Sequence, residues 1–283
     1  MKFNYRKLIY LLIILLTSSL IIYKMPSFSQ RKDFIVHYID VGQGDSILIE
    51  SEEKNLLIDA GTPESSDFLI KYLKSQNIKK INSIIITHPH DDHIGGIAKI
   101  IKTFPIDSLY SPKVIHTNES FKNLVNVLKE KKLNINILSA NKSNNIDLGK
   151  NTNIEIFSPS NELYENLNNY SPIMRISYGE TSFLFTGDAE EEAEKEVLKN
   201  NYNIKSDVLK VGHHGSHTSS TKDFLNKISP KIAIISAGLD NSYGHPNQST
   251  LNKLKERNIK IFRTDEDGTI KISSNGKELS LVK

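Results

Sequence analysis

A chain of 283 residues, 38% of them hydrophobic and 24% charged, is long enough to bury a large core as one domain of about 250 residues or as two smaller ones. It contains no cysteine, which excludes disulfides, thiolate metal ligands and lipoprotein anchoring, and which suits an exported protein that manages without disulfides. The formal charge is +3, but six basic residues and no acidic one lie in the first 32, so the remainder carries 30 basic against 33 acidic groups; this argues against a broadly basic nucleic-acid surface and leaves only local patches, such as Lys122 to Lys132.

In chain order, Lys2, Arg6 and Lys7 precede an apolar stretch from Leu8 to Tyr23 that Lys24 closes. Its sixteen residues would span roughly 24 Å as a helix, enough for a short membrane anchor with flanking lysines. A cleaved signal peptide is the alternative, with Ser27 and Ser29 before Gln30 as the cleavage pattern. Either places the globular part, residues 33–283, outside the cytoplasm, behind an anchor and linker over 1–32. Phe34 to Ile39, Ser46 to Glu50 and Leu56 to Ile58 read as a strand meander with a glycine turn at Val41 to Asp45. Helical patterns follow at Ser65 to Gln76, Ile94 to Lys102, Ser120 to Lys131, Ala189 to Asn200, Lys222 to Ile228 and Gln248 to Arg257. Apolar runs short enough for strands lie between them, near Ile84, Ile135, Ile154, Ile173, Phe183, Val208, Ile232 and Ile261. Asn141 to Asn153 reads as a loop, and Asn275-Gly276 as a hairpin turn. The elements alternate throughout, and no internal boundary or repeat is evident beyond Met25 to Lys32.

The chemistry concentrates in THPHDDH, directly after the strand at Ile84 to Ile86. His88 and His90, as alternate residues of an extended segment, can face one point, while Asp92 and His93 can turn back towards a second point nearby. Imidazoles and carboxylates at this density suit divalent metal and make room for two ions. Two later strand ends add candidates. Asp188, after Phe183 to Phe185 and Gly187, either caps the following helix or joins the metal cluster, whereas Glu190, Glu191 and Glu192 read as ordinary helix-start residues. The segment GHHGSH carries His213, His214 and His217 among small residues, so that one of the adjacent histidines can face a metal while the other points elsewhere. His245 precedes proline in YGHPN as a turn residue or a further site group; His37 and His116 read as structural.

Together HPHDDH, the later TGD and a downstream strand-end histidine resemble the metallo-β-lactamase fold, a four-layer αββα sandwich, over residues 34 to the carboxyl end. DVGQGDS at Asp40 to Ser46, LLIDAG at Leu56 to Gly61, LKVGHHGS at Leu209 to Ser216 and YGHPN at Tyr243 to Asn247 are similar to the hydrolase domain of the ComEC competence proteins and its stand-alone relatives. The resemblance implies that His88 and His90 bind a first metal, Asp92, His93 and His214 a second, and that Asp188 bridges them, with Asp59 as a buried support of the ligand loop. The third histidine that the family commonly supplies to the first metal has no match. Asn168, Asn169, Tyr170 and Ser171 stand there instead, in the NNxS pattern of the ComEC branch, which leaves the first site the weaker one.

The chemistry implied is metal-assisted hydrolysis with two divalent ions, Zn²⁺ by ligand type or Mn²⁺ at so oxygen-rich a site. Asp92 would orient the attacking water, and His213 or His245 would protonate the leaving group or hold the substrate. The resemblance points to a phosphodiester substrate, DNA among the candidates, and to a phosphodiesterase or nuclease outside the membrane. The competing functions are an acyl hydrolase for a lactone, thioester or β-lactam, and a non-catalytic metal-binding module. No protein partner is identifiable, and a single apolar segment cannot form a DNA channel by itself.

Overall fold

Alternation of apolar residues builds both sheets of the protein, seen here in a computed structural model that describes residues 34–282 apart from 53, 141–143 and 162. The expected anchor over residues 1–32 lies outside the described residues, among which no helix is long and apolar enough to cross a membrane. In β1 (Phe34–Tyr38), Phe34, Val36 and Tyr38 turn to one face; β2 (Ile47–Glu50) sends Ile47 and Ile49 the same way and Leu48 the other, and β3 (Asn55–Ile58) pairs antiparallel to it. The chain then changes to parallel crossovers. Helix α1 (Ser66–Ser75) leads to β4 (Ile81–Ile85), α2 (Asp91–Ile94) and α3 (Ile97–Thr103) to β5 (Ile106–Ser111), and α4 (Glu119–Lys131) to β6 (Ile135–Ile137).

The second sheet repeats this plan. Strands β7 (Thr152–Ile156), β8 (Met174–Tyr178) and β9 (Thr181–Phe185) form an antiparallel meander. Crossovers through α5 (Glu191–Lys199), α6 (Lys222–Ile228) and α7 (Gln248–Lys255) add β10 (Val208–Lys210), β11 (Ile232–Ile235) and β12 (Lys260–Arg263) in parallel. After the single turn α8 (Thr264–Asp267), the hairpin β13 (Ile270–Ser274) and β14 (Leu279–Val282) returns to the first sheet beside β1. The sheet orders are β14-β13-β1-β2-β3-β4-β5-β6 and β12-β11-β10-β9-β8-β7.

Three buried clusters define the layers. One joins the facing sides of the two sheets, with Phe34, Tyr38 and Ile49 against Ile176, Phe183 and Phe185. A second packs α1, α3 and α4 on the outside of the first sheet, and a third packs α5, α6 and α7 on the outside of the second. This is an αββα sandwich. Strand β5 is absent from the apolar pattern because Pro105 precedes it and Asp107 and Ser108 interrupt it; only its last three residues are buried. The expected helix at Ile94 to Lys102 is two short helices parted by Gly95 and Gly96, where an added Cβ would lie 2.3 Å from Pro63 Cδ and 2.4 Å from Ala60 O. The carboxyl ends of β3, β4, β9, β10 and β11 meet at one edge, where α/β sheets place their ligands.

Candidate metal centre

Each functional side chain leaves a strand end on a backbone that something else constrains. After β4, Thr87 is fixed twice by Asp59, whose Oδ1 accepts from its N–H at 2.9 Å and whose Oδ2 accepts from its hydroxyl at 2.6 Å. That anchors the turn carrying His88, His90, Asp92 and His93, with His90 at the N-cap of α2. After β9, Gly187 has a φ of +48, and a Cβ there would sit 2.9 Å from Ser171 Cβ, so the approach that sets Asp188 in place requires glycine. After β10, His213 and His214 take left-handed φ values of 47 and 51, a strained backbone costing about 1–3 kcal/mol per residue. The turn points their rings apart, with ring centroids 6.1 Å from each other.

Asp188 is the hub. Its Oδ2 lies 3.3 Å from His93 Nε2, 3.3 Å from His214 Nε2 and 3.9 Å from both His88 Nε2 and His213 Nε2. Asp92 Oδ2 stands 3.3 Å from His214 Nε2 and 3.8 Å from His93 Nε2. His93 Nδ1 contacts Asp59 Oδ2 at 2.8 Å, and His214 Nδ1 donates to Ser236 O at 2.9 Å, so each imidazole presents Nε2 to the centre. These Nε2 atoms and Asp188 Oδ1 are buried without a hydrogen-bond partner. Buried polar atoms are normally satisfied, and two orphaned imidazole nitrogens each 3.3 Å from one buried carboxylate oxygen fit a divalent cation.

The charge balance agrees with that fit. Asp45, Asp59 and Asp188 are buried and Asp92 nearly so, while Lys210 is a fully buried lysine beside them. Burial opposes charge on His93 and His214, yet the carboxylates outweigh it: His93 is held well above the ordinary histidine pKa, and His214 is raised to about 10, chiefly by Asp188. Protons there balance the negative charge that a dication would otherwise meet. Burial, then His93, push His88 well below the usual value, and His90 is lowered by the same causes. Burial raises Asp92 and Asp188, but the neighbouring imidazoles hold both carboxyls well below the usual range.

Residues 39–238 match the family described as the Metallo-beta-lactamase superfamily. The chain belongs to this superfamily. It is 34% identical over 253 residues to ComE operon protein 3 of Bacillus subtilis (strain 168), covering 83% of this chain and 32% of that protein. With Competence protein ComA of Neisseria gonorrhoeae it shares 27% identity over 259 residues, covering 91% and 34%. The chain thus spans about a third of the length of these ComEC-type relatives. In fold it is similar to the crystal structure of YhfI from Bacillus subtilis, with a TM-score of 0.57 at 12% identity, over 86% of this chain and 100% of that one. As a superfamily member the protein is a metal-dependent hydrolase whose fold binds divalent metals.

Within this superfamily member, the expected site residues do not all converge equally. Two groups of possible ligands share His93 at the centre, Asp92 with His93 and His214, and His88 with His93 and Asp188, the His88 ring centroid lying 4.2 Å from that of His93. His90 turns instead to His88, Nδ1 to Nε2 at 2.9 Å, and among the described residues it belongs to no group of three that could hold a metal. His213 and His245 line the cleft above, ring centroids 5.5 Å apart. Burial, then the neighbouring His213 and His214, lower the pKa of His245. His217 is exposed.

Two residues, His116 and Glu190, differ from their reading in the sequence, while Ser171 lies where that reading put it. His116 is not merely structural: it lines the same cleft, its ring centroid 6.3 Å from that of His90, with Nδ1 accepting from Asn118 N–H at 3.1 Å. Glu190 is more than a helix-start acid, since its Oε1 lies 3.1 Å from His213 Nδ1 and accepts from Asn168 Nδ2 at 2.8 Å. Ser171 occupies the neighbourhood of His88, its Oγ 3.3 Å from Nδ1, and accepts from Asp188 N–H at 3.1 Å. His37 is structural, with Nδ1 2.7 Å from Tyr72 Oη and Nε2 3.0 Å from Glu50 Oε1.

The motif DVGQGD has a role that its letters alone do not reveal. Asp45 Oδ2 is paired with Lys210 Nζ at 2.8 Å in full burial, and Asp45 N–H donates to Asp92 O at 3.1 Å. Gly44, at φ +134, packs where a Cβ would lie 2.3 Å from Asp92 O. The loop therefore braces the backbone of Asp92 from behind.

Proposed function

We propose that this chain is a metal-dependent phosphodiesterase, exported and held at the outer face of a membrane by its first 32 residues. One observation carries the reading: His93 Nε2, His214 Nε2 and Asp188 Oδ1 are orphaned in a buried cluster, of which Asp188 and His214 line an open cleft of about 700 Å³, a size that takes a small substrate. Asp92, His93, His214 and Asp188 would hold a divalent ion, Zn²⁺ or Mn²⁺ by their nitrogen and oxygen donors. When bound, such an ion supplies Lewis acidity and acidifies water.

The chain's own residues do the rest. Asp92, kept anionic by its imidazole neighbours, is the carboxylate placed to orient an attacking water. Glu190 holds Nδ1 of His213, which leaves Nε2 facing the cleft to meet a leaving-group oxygen. His245, on the same wall, is kept neutral by its surroundings and can position a substrate oxygen. Among the described residues no lysine or arginine lines the cleft, so the negative charge of a phosphodiester is met at the centre itself. Similarity to competence proteins supports the choice of a phosphodiester over an acyl substrate, and makes DNA one candidate. The anchor reading is supported by Lys2, Arg6 and Lys7 ahead of the apolar Leu8 to Tyr23.

The test is hydrolysis of bis(p-nitrophenyl) phosphate, a thioester and a chromogenic cephalosporin, with Zn²⁺, with Mn²⁺ and with chelator, beside Asp92→Ala. Metal-dependent cleavage of the diester alone, lost in Asp92→Ala, is the expected result. Cleavage of only the acyl substrates would overturn the substrate class, and metal binding without any hydrolysis would favour a binding module.

A further inference from the structure

The lysine-rich stretch of the chain lies on one outer edge of the molecule and has no part in the metal centre. From Lys113 to Ile137 the chain carries five lysines and two glutamates, whereas the rest of residues 33–283 carries 25 basic against 31 acidic groups. On α4, Lys122, Val125 and Lys129 recur at i, i+3 and i+7 and share one stripe, with Lys132 just beyond the end of the helix. Glu119 lies 3.7 Å from Lys122 and Glu130 3.9 Å from Lys131, but Lys113, Lys129 and Lys132 have no carboxylate partner among the described residues.

Between these lysines the surface is apolar. Strand β6 is the outermost strand of the first sheet at this end, and Ile135 and Ile137 alternate onto one face of it. Ile115 is 82% exposed and Ile137 37%. Two hollows meet at Ile135. One, of about 190 Å³, is lined by Val114, Ile115, Phe121 and Ile137, and the other, of about 580 Å³, by Val125, Leu128 and Leu133 between Lys129 and Lys132. Apolar side chains exposed together mark an interaction surface, and the charge around them selects the partner. A second copy docked by two-fold pairing of β6 would crowd the lysines of one chain against those of the other. A nucleic acid would answer the lysines and leave the isoleucines without an apolar partner. A lipid surface with anionic headgroups answers both, with hydrocarbon for Ile115 and Ile137 and negative charge for the lysines.

We propose that this edge docks on an anionic lipid surface, with Ile115 and Ile137 entering the headgroup boundary and Lys113, Lys129 and Lys132 engaging the lipid phosphates. The contact is separate from the anchor proposed for residues 1–32 and does not depend on the substrate. Each lysine near an anionic surface strengthens binding about fivefold, so the loss of three weakens docking about 100-fold. Ile115 directly precedes His116, which lines the cleft, so docking sets that side of the cleft beside the lipid.

The chain has no cysteine, so Ile115→Cys supplies a unique thiol for an environment-sensitive fluorophore. Lys255→Cys, exposed on α7 in the outer layer of the other sheet, supplies the control. Each labelled full chain is reconstituted into phosphatidylcholine vesicles, with or without about one-third phosphatidylglycerol, that carry a spin-labelled lipid as quencher. The expected result is quenching of the label at position 115 in the anionic vesicles only, with none at position 255. Lys113→Gln, Lys129→Gln and Lys132→Gln together abolish it, as does high salt. Quenching that is equal at the two positions, equal in the two kinds of vesicle, or absent from position 115 overturns the inference. So does a label at position 115 already shielded from iodide in neutral vesicles, which would mean that a second copy or the chain's own amino-terminal segment covers the edge. All the substituted side chains are exposed and none belongs to the metal centre, so an unchanged unfolding midpoint certifies each variant. A chain that enters only the anionic vesicles, with the label at position 115 quenched, would sink the anchor reading and leave this inference standing.

Discussion

Removing the buried charge of Lys210 tests the bracing of the metal loop from behind. Its Nζ is fully enclosed, donates to Val211 O at 3.1 Å and pairs with Asp45 Oδ2 at 2.8 Å. In Lys210→Met the stem is replaced by a side chain of similar bulk, but the Asp45 carboxylate stays buried without the ammonium on Oδ2, left with only the His214 imidazole at 3.6 Å from Oδ1 among the described residues. Breaking a buried pair from one side costs about 3–5 kcal/mol, because desolvation of the remaining charge is no longer offset. Against a total stability of about 5–15 kcal/mol this is a large fraction. At about 2–4 °C per kcal/mol for a domain of this size, the midpoint of thermal unfolding falls by about 6–20 °C. The assay is thermal and urea unfolding of the metal-free chain followed by circular dichroism, on Lys210→Met, Asp45→Asn and the double variant. The double variant should recover at least half of the loss, since no lone charge remains. A loss below about 1 kcal/mol in Lys210→Met, or a double variant at the sum of the two singles, would refute the argument.

The same geometry sets further outcomes. Asp59→Asn keeps the shape of the partner of His93 but weakens its hold on Nδ1, and should lower metal affinity about 10–100-fold by competition with a chromophoric chelator; an unchanged affinity contradicts the role given to Asp59. Gly44→Ala places a Cβ 2.3 Å from Asp92 O at a left-handed φ, so metal affinity and stability should both drop, and a variant that binds metal normally would show that the loop does not brace Asp92. In the metal-free chain the folded state holds the His214 proton up to about pH 10, whereas the unfolded chain releases it near 6.5. The folded state therefore binds more protons across that window, and this contribution is fully present below pH 6.5 and is lost as pH rises through 10. Unfolding midpoints in chelator should accordingly decline from pH 6.5 to 10, while those of the metal-loaded chain stay flatter; a metal-free midpoint that rises over this range contradicts the assignment.

How far the sequence can be read differs by region, for physical reasons. The opening meander and the strand β9 are legible because β1, β2 and β9 alternate cleanly between the inter-sheet core and an outer face. Lys222–Ile228 is legible to the residue, having a strong apolar face between polar flanks. Strand β5 is not, since its edge half is polar and only its end is buried. Local density reveals the ligand loop from His88 to His93, and family resemblance adds Asp188 and His214 from distant strand ends. Side-chain pairings between distant segments leave no local signal: Asp45 and Lys210 meet only when the two sheets stack, and Glu190 and His213 only when β9 and β10 pair. The clue available is Lys210 itself, a charged residue at the end of an otherwise apolar strand. His116 escapes a sequence reading because nothing in its neighbourhood marks it; the turn that brings it beside His90 is set by Asn118, which caps α4 and also donates to Pro89 O at 3.0 Å.

The central claim is that Asp92, His93, His214 and Asp188 converge to hold a metal ion. Anomalous X-ray diffraction from crystals of the protein grown with Mn²⁺, recorded on both sides of the manganese edge, addresses it most directly. The predicted result is a strong peak among His93 Nε2, His214 Nε2 and the carboxylates of Asp92 and Asp188. No peak there, or a stronger peak between His88 and His90, would contradict it.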